Sequence, residues 1–391
     1  MDRVLPATTE FMNRLFLFGF SALIHAYVGL RLYPGLAAWA PADVALALWL
    51  VVSALLTPAS LLLRRAQAGG LAEAVVGAGL LCMGLFSSLF VLTVLRDVVL
   101  AAATLLRWAW PGLPLGHWAA DSALLVPVAA LAMSLLGFIN ARRTAAVVRV
   151  DVPIAGLPAV LHGFSIAQIS DIHVGPTIKG PYVAAIVAAV NRLGADMVAV
   201  TGDLVDGSVA QLREHVAPLA GLNSRHGTFF VTGNHEYYAG AHAWIAELRR
   251  IGLRVLLNEH VVLEYGASAL AVAGVTDFGA GHFDPAHQSD PHAAIAGAPA
   301  HTAVRLLLAH QPRSAAASSA AGYDLQLSGH THGGQFLPWN FFVPLQQPFT
   351  AGLHRLRALW VYTSRGTGYW GPPKRFGAPS EITLLRLVPQ A

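Results

Sequence analysis

The stretch LQLSGHTHGGQF, residues 325–336, decides how the rest of this sequence is interpreted. It is a short apolar run that ends in two histidines one residue apart, with glycines on both sides. Imidazole is the commonest metal ligand in proteins, so the pair raises the question of a metal site. Two histidines alone say little, and the rest of the chain must supply further ligands if such a site exists.

Composition indicates that part of the chain lies in a membrane. Of its 391 residues, 55% are hydrophobic and only 12% are charged, whereas soluble domains contain about 25% charged residues. The net charge of +4 is spread along the chain. Because no dense cluster of lysine and arginine is present, we predict no nucleic-acid partner. The single cysteine, Cys82, has no partner for an internal disulfide.

Residues 1–148 are predicted to form a transmembrane helical domain. The domain contains four apolar runs, each of about the 17–25 residues that a spanning helix needs. Four runs in succession do not fit a single cleavable signal peptide. The shorter segment 97–110 carries Arg107 and two tryptophans, so we interpret it as an interfacial or re-entrant helix, with a fifth span as the alternative. The four runs are residues 15–32, 44–63, 71–95 and 122–139.

Arginines near the ends of these runs predict which side of the membrane the C-terminal region occupies. With four spans, seven arginines fall on the side that holds both termini and three on the other. Cytoplasmic loops are the more basic ones, so we expect a multi-pass protein of the cell membrane with its C-terminal domain in the cytoplasm. A fifth span would place that domain on the opposite side. The first group is Arg3, Arg14, Arg64, Arg65, Arg142, Arg143 and Arg149, and the second is Arg31, Arg96 and Arg107.

Two other ionisable residues, His25 and Glu73, lie in or beside the spans. An ionisable group inside a membrane can mark a functional site. One histidine and one boundary glutamate are better explained as a helix-packing partner and as an end residue that reaches the interface. The spans offer few paired polar residues, which argues against a transporter.

Residues 149–391 are predicted to form one α/β domain, because short apolar strands alternate with helical patterns there. Buried strands are predicted at 164–170, 197–202, 228–233, 304–309 and 323–328, with further strand-like runs at 254–265, 269–275, 359–364 and 382–388. Helical patterns occur at 181–193, 209–222 and 241–250, and the alanine-rich segments 293–300 and 315–321 are interpreted as loop or weak helix.

Each of the five buried strands is followed directly by residues that can bind a metal ion. Ligands gather beyond the carboxyl ends of strands in open α/β sheets, so the five groups can meet at one end of the strands. The D-x-H and H-x-H spacings place both side chains on the same side of an extended backbone, and neighbouring glycines allow sharp turns. In chain order the groups are Asp171-Ile172-His173, Gly202-Asp203, Gly233-Asn234-His235-Glu236, His310 and Gly329-His330-Thr331-His332.

Taken in that order, the motifs D-x-H, G-D, G-N-H-E, a strand-terminal histidine and G-H-T-H closely resemble the calcineurin-like metallophosphoesterase superfamily. The tail from Ser364-Arg365-Gly366 through Arg375-Phe376-Gly377 to Pro379-Ser380-Glu381 resembles the bacterial branch of membrane-associated phosphohydrolases. The resemblance covers about residues 160–388 and implies a sandwich of two mixed β-sheets flanked by helices. It does not specify a substrate, since this superfamily accepts proteins, nucleotides and lipids.

The resemblance implies a dinuclear metal site in which Asp203 bridges the two ions. Imidazole and carboxylate ligands together favour Mn, Fe or Zn over Mg. Two such cations can polarise a phosphoryl group and activate water at neutral pH. The implied ligands are Asp171, His173, Asp203 and His332 for one metal, and Asp203, Asn234, His310 and His330 for the other.

His235 is implied to be the catalytic residue, because it would face the substrate and stabilise or protonate the leaving alkoxide. Glu236 is interpreted as orienting a ligand and not as a ligand itself. Asp206 could lie near the metals, but we expect it to serve the loop or cap a helix. Residues 366–371 match G-x-G-x-x-G, but prolines follow where a dinucleotide motif needs a helix, so we predict no such site.

The sequence therefore predicts a membrane-anchored phosphohydrolase that cleaves a phosphomonoester, phosphodiester or pyrophosphate bond. The alternatives are a non-enzymatic membrane metal sensor or scaffold, and a phosphohydrolase for soluble phosphoesters. A degenerate, inactive relative should lack Asp203, Asn234 or His235, and all three are present. The sequence does not indicate an oligomeric state.

The apolar and aromatic stretch 336–345 follows His332 closely and is interrupted by two prolines. It either packs as a buried loop on the edge of the sandwich, or enters the lipid headgroup layer or holds acyl chains, as aromatic residues do at membrane interfaces. From the second interpretation we predict a phospholipid, or a lipid-linked phosphoester or pyrophosphate, as substrate.

Overall fold

The computed structural model describes residues 7–37, 39–63 and 70–390. The chain divides into two compact units. The helical unit comprises Met1–Ile139 and Gly371–Lys374, and the sandwich unit comprises Asn140–Trp370 and Arg375–Ala391. Three arginines used above for orientation, Arg3, Arg64 and Arg65, lie outside the described residues.

Four helices in the described residues are long and apolar enough to cross a membrane. Leucine and alanine dominate them, and many of their large side chains are exposed, as in Leu30 and Leu71. Exposed apolar surface of this kind suits a lipid environment. The helices are α1 Ala7–Leu36, α2 Ala42–Leu63, α3 Gly70–Leu106 and α4 Leu115–Arg142.

The separate interfacial helix predicted over 97–110 does not form, and neither does a separate fifth span there. Residues 97–106 continue α3 without a break. The charged residues where that segment begins are paired within the helical unit: Arg96 lies 3.3 Å from Asp97, which also accepts a 2.7 Å hydrogen bond from Arg31 of α1. No proline or glycine interrupts α3 at that point, so nothing in the backbone ends it.

His25 packs between helices, as predicted. Its Nδ1 lies 2.7 Å from the carbonyl oxygen of Ser21, its Nε2 lies 2.9 Å from Ser53 Oγ, and its ring stacks on Phe86. Glu73 is exposed in the first turn of α3. The 371–374 segment belongs to the same helical unit, where Lys374 Nζ donates to Ser88 Oγ at 2.6 Å.

The sandwich unit contains two six-stranded sheets, and both mix parallel with antiparallel neighbours. This confirms the predicted fold class. The strands are β1 Ala146–Ile154, β2 Ser165–Ile169, β3 Met197–Val200, β4 Thr228–Phe230, β5 Arg254–Val255, β6 Glu259–Tyr265, β7 Ser268–Gly274, β8 Thr302–Leu308, β9 Leu325–Ser328, β10 Gly352–Leu356, β11 Leu359–Thr363 and β12 Glu381–Pro389. The strand orders are β1-β12-β2-β3-β4-β5 and β10-β11-β9-β8-β7-β6.

Helices cover the outer faces of the sheets, and alternation along each strand decides which side chains they meet. In β3, Met197 and Ala199 face the other sheet, whereas Val198 and Val200 face the helices. The parallel strands β2, β3 and β4 are thereby buried on both faces, which explains their continuous apolar sequences. The helices are α5 Gly180–Asn191, α6 Val209–Val216, α7 Asn234–Ala239, α8 Ala241–Arg250, α9 Pro291–Ile295, α10 Ala315–Ala320 and α11 Trp339–Gln346.

Several predicted boundaries were wrong for local reasons. The helix predicted over 209–222 ends at Val216 and continues as a 3-10 turn that contains Pro218, which cannot donate to the α-helical ladder. The strand predicted over 254–265 divides into β5 and β6 around Asn258, whose φ of 56° lies in the left-handed region. Strand β1, which begins at Ala146, and strand β10 were not predicted.

Candidate active site

All five predicted ligand groups meet at the carboxyl ends of β2, β3 and β4 in one sheet and of β8 and β9 in the other. Backbone hydrogen bonds join these turns directly. The amide of Asp171 donates to the carbonyl oxygen of Gly202, and the amide of Gly329 donates to the carbonyl oxygen of His310. The amide of His330 donates to the Asp171 carboxylate at 2.9 Å, which crosses from one sheet to the other. The predicted convergence is therefore correct.

The conformation that produces this convergence differs from the expected extended backbone. Asp171, His173 and Asp203 have φ values of 53°, 56° and 51°, and His330 and His332 have φ values of 69° and 51°. A non-glycine residue in this left-handed region costs about 1–3 kcal/mol and persists only where the surroundings enforce it. Tight turns therefore bring the D-x-H and H-x-H pairs together, and the predicted extended backbone at these pairs was wrong.

The neighbouring glycines serve two different needs. Gly202 has a φ of 85°, and a Cβ there would lie 2.8 Å from His310 Nδ1. Gly233 and Gly329 have no positive φ, but a Cβ would overlap the carboxylate of Asp203 at the first and that of Asp171 at the second. Gly202 therefore provides the sharp turn that the sequence suggested, whereas Gly233 and Gly329 provide space for a carboxylate.

One group of potential ligand atoms comprises Asp171, His173 and His332. The Nε2 atoms of the two histidines are 3.0 Å apart, and His332 Nε2 lies 3.5 Å from Asp171 Oδ1. His173 Nδ1 donates to a carboxylate, which leaves Nε2 with its lone pair directed into the group.

A second group comprises Asp203, His310 and His330. His310 Nε2 lies 3.2 Å from Asp203 Oδ2 and 3.2 Å from His330 Nδ1. His310 Nδ1 donates to the carbonyl oxygen of Thr201, so its Nε2 is the atom available to a ligand. Asp203 Oδ2 also lies 3.9 Å from His173 Nε2, and this carboxylate therefore faces both groups.

The donor set fits divalent cations. Asp171, Asp203 and His310 are almost completely buried, and buried carboxylates need a cationic partner. Burial alone would raise the pKa of Asp203, but the imidazoles of His310 and His235 outweigh it and hold the pKa well below its usual value. The side-chain oxygen of Asn234 is buried and has no hydrogen-bond partner among the described residues, as expected of an oxygen reserved for a metal.

His235 lies beside both groups, and its orientation is set by a neighbour whose role was predicted incorrectly. His235 Nδ1 donates to Asp206 Oδ1 at 2.7 Å, and the same oxygen accepts from His173 Nδ1 at 2.9 Å. We expected Asp206 to serve the loop or cap a helix, but the cap of α6 is Ser208. Burial would lower the pKa of His235, yet the carboxylates of Asp203 and Asp206 raise it to about 9.

Glu236 shapes the backbone of the site. Its carboxylate accepts hydrogen bonds from the amides of Gly233, Asp203 and Leu204, at 2.6, 3.0 and 2.8 Å. It thereby fixes the turn that carries Asp203, which agrees with its interpretation as an orienting residue. Burial, followed by repulsion from Asp203, raises the pKa of Glu236 to about 7.

Arg375 is a site residue to which the sequence analysis gave no role. It is fully buried, donates to the carbonyl oxygen of His332 at 3.0 Å and lies 2.9 Å from His332 Nδ1. The only sequence signal was its place in the tail motif, which suggested a family but no contact.

Exposed aromatic side chains surround His235. The rings of Tyr238 and Trp370 lie 5.2 and 6.1 Å from the His235 ring, and Phe283 packs on Tyr238 at 5.6 Å. All three are exposed, Tyr238 to 64% and Trp370 to 43%. We refer to Tyr238, Phe283 and Trp370 as the aromatic rim.

The stretch 336–345 is not the buried loop that one interpretation predicted. Phe336 is buried, but α11 begins at Trp339 and has no buried side chain. A Cβ at Gly334, two residues after His332, would overlap the backbone of Asn340, so α11 is fixed against the ligand turn. Pro344 lies inside this short helix, which is why no periodicity was visible. The exposed residues of the α11 surface are Trp339, Phe341, Phe342 and Leu345.

Comparison with known proteins supports the predicted family. Residues 164–334 match the family model of the calcineurin-like phosphoesterases. A "Transmembrane protein with metallophosphoesterase domain" from Bos taurus is 41% identical over 65% of this chain and 60% of its own length. Its counterpart from Danio rerio is 37% identical over the same shares. An uncharacterized metallophosphoesterase from Aquifex aeolicus is 33% identical over 57% of this chain and 84% of its own length. The chain thus spans about 60% of the length of the two transmembrane relatives.

Proposed function

Because the chain belongs to the calcineurin-like phosphoesterase family, we propose that it is a membrane-anchored phosphohydrolase that uses two divalent cations. The observation that carries the proposal is the position of Asp203, whose carboxylate faces both groups of potential ligands. One carboxylate has two oxygens and can contact two cations at once. Mn, Fe or Zn suits the mixture of imidazole, carboxylate and amide donors.

The residues that would hold the two cations are those that the family resemblance implied. Asp171, His173 and His332 would bind one ion, and Asn234, His310 and His330 the other, with Asp203 shared. When bound, two such cations supply Lewis-acid polarisation of the phosphoryl group and activation of the attacking water at neutral pH. Glu236, Arg375 and the left-handed turns hold these ligands in place before any substrate arrives.

His235 would act on the leaving group. Its raised pKa keeps the imidazole protonated near neutral pH, and its Nδ1 proton is held by Asp206. The other nitrogen, Nε2, lies 4.0 Å from Asp203 and can donate a proton to the departing alkoxide. Leaving-group protonation of this kind suits alkyl phosphoesters, whose alkoxides are poor leaving groups.

The aromatic rim and the α11 surface favour a phospholipid or a lipid-linked phosphoester as substrate. Both are exposed in the sandwich unit, and exposed aromatic side chains partition to the membrane interface. Apolar surface beside a phosphate site is of little use to a small, fully polar substrate. It can bind acyl or prenyl chains while the phosphate reaches the ligand groups.

A pair of matched substrates tests this proposal. The full-length protein in detergent, supplied with manganese, is assayed on dioleoyl phosphatidic acid and on glycerol phosphate, which present a similar phosphomonoester with and without acyl chains. A higher kcat/KM on the lipid is expected. Equal values would support the alternative of a soluble phosphoester, and the lipid proposal would then fail.

A wider panel separates the enzyme from a metal sensor or scaffold. Bis-nitrophenyl phosphate, nitrophenyl phosphate and a lipid pyrophosphate cover diesters, monoesters and anhydrides. We expect manganese-dependent turnover of at least one class. No turnover of any of them by protein that binds two cations would favour the sensor or scaffold.

We further propose a multi-pass protein whose sandwich unit lies on the cytoplasmic side, a proposal supported by the arginine distribution and by the four apolar helices. A cysteine that replaces the exposed Val160, in a Cys82→Ala background, should resist a membrane-impermeant thiol reagent in intact cells and react after lysis. Labelling before lysis would place the unit on the outer side.

A further inference from the structure

A second cluster of potential metal ligands lies in the sandwich unit, outside the proposed active site. It joins His242, in the first turn of α8, to Asp284 and His287 at the two ends of a 3-10 turn. One ligand atom from each of the three side chains lies within 4.8 Å of the other two. His242 Nε2 lies 3.0 Å from Asp284 Oδ2, and the two imidazole rings are 5.0 Å apart.

We propose that His242, Asp284 and His287 bind a further divalent cation of the zinc class. Two imidazoles and one carboxylate are a donor set that Zn²⁺ prefers, with a fourth position left for water. Two ligand atoms on one tetrahedral zinc ion lie roughly 3.3 Å apart, close to the 3.0 Å between His242 and Asp284. The His242 side chain is 75% exposed, so a cation can enter from solvent.

Neighbouring groups orient two of the three ligands. His287 Nδ1 lies 2.8 Å from the hydroxyl of Tyr237, which can accept its proton and leave Nε2 for a cation. Asp284 Oδ1 accepts from the amide of Ala286, and Oδ2 is turned toward His242. An ion pair between His242 and Asp284 alone would not need His287 or its partner Tyr237.

A cation at this position would join the 280–287 segment to helices α7 and α8. Phe283 lies in that segment and packs on Tyr237 and Tyr238, with ring centroids 5.7 and 5.6 Å away. Tyr238 in turn contacts His235. The cation would therefore fix one side of the aromatic rim from a position outside the two proposed ligand groups.

Zinc content measured by elemental analysis tests the proposal. The full-length protein, freed of any affinity tag, is dialysed in detergent against a buffered concentration of free zinc. We expect the His242→Ala/His287→Ala variant to hold one zinc ion fewer per chain than the wild type. The His282→Ala/His292→Ala variant removes two exposed imidazoles outside the cluster and should match the wild type. Equal zinc content in the wild type and the first variant would overturn the proposal.

The measured quantity is a difference of one ion, so it does not depend on the dinuclear assignment. Three ions falling to two would support both proposals, whereas one falling to none would support this site and reject the dinuclear site.

Two milder substitutions decide the case in which the double variant fails to fold. Asp284→Asn keeps an oxygen for the amide of Ala286 but loses the charge, and Tyr237→Phe removes only the hydroxyl beside His287. Removal of a group that orients a ligand usually weakens metal affinity about 10–100-fold, and we expect that for Tyr237→Phe, with at least as large a loss for Asp284→Asn. A zinc titration of Asp284→Asn that superimposes on that of the wild type would overturn the proposal.

Discussion

The floor and the rim of the proposed active site differ in burial, polarity and backbone conformation. The floor is polar and is formed by the seven implied metal ligands. Five of the seven are buried, and five have a backbone in the left-handed region. The aromatic rim and the α11 surface together form the rim. They are exposed and apolar, and their backbone has ordinary φ values. Every substrate would present the same phosphate group to the floor, so the geometry of the floor has to suit that group. The rest of the substrate varies, and the rim is where this chain can be specific. Substitutions in the floor should therefore affect every substrate alike, and substitutions in the rim only some.

The largest effect is expected from Asp203→Ala in the floor. If Asp203 holds both cations, its loss should remove both together and abolish turnover of all substrates. Elemental analysis after manganese loading should show a fall from two ions per chain to almost none.

His173→Ala is the matched control, because the family resemblance makes His173 a ligand of one cation only. This substitution should weaken the binding of one manganese ion and leave the other ion bound. Two manganese ions retained by Asp203→Ala would reject the bridging role.

The next largest effect is expected from His235→Ala, because His235 lies between the floor and the aromatic rim. Loss of a general acid usually lowers kcat by roughly 10²–10⁴-fold. Metal content should stay unchanged, since His235 is not an implied ligand. The loss should be large on an alkyl phosphoester and small on nitrophenyl phosphate, whose leaving group needs little protonation. An unchanged rate on the alkyl ester would remove His235 from the mechanism.

Asp206→Asn should have an intermediate effect. This carboxylate accepts hydrogen bonds from both His173 and His235, and loss of such an orienting group typically lowers activity or metal affinity about 10–100-fold. Both substrates of the matched pair should lose activity to the same degree. Asp151→Asn, which changes an exposed carboxylate paired with Arg386, is the control and should have the activity of the wild type. Equal activity of the two variants would show that Asp206 has no orienting role.

The sequence predicted that the side chains of the floor would meet, whereas exposure of residues 336–345 was only one of two interpretations. An implied ligand such as His310 follows directly after its strand, so strand ends and residue type were enough to suggest it. Asp206 and Arg375 reach the floor through long-range contacts that no local pattern encodes. Helix α11 could not be recognised because Pro344 and a run of aromatic residues hide its periodicity. The conformation of the floor was also hidden, since nothing in D-x-H or H-x-H announces a positive φ.

The smallest effect, and the most specific, is expected from the α11 surface. Trp339→Ala and Phe341→Ala each remove an exposed aromatic side chain that would contact acyl chains or the headgroup layer. We expect a rise in KM for dioleoyl phosphatidic acid of about tenfold, equivalent to about 1.4 kcal/mol of binding free energy. The KM for glycerol phosphate and both kcat values should hardly change.

Val160→Ala removes exposed apolar surface from a different element of the sandwich unit and is the control for a general loss of apolar area. It should leave both KM values unchanged. If the α11 variants weakened both substrates equally, α11 would only support the ligand turn to which Gly334 attaches it. If they weakened neither, acyl recognition would have to lie in the aromatic rim, and Trp370→Ala would be the next variant to assay. The deciding quantity is the difference between the KM changes of the two substrates on one variant. A general folding defect would affect both substrates and cannot produce that difference.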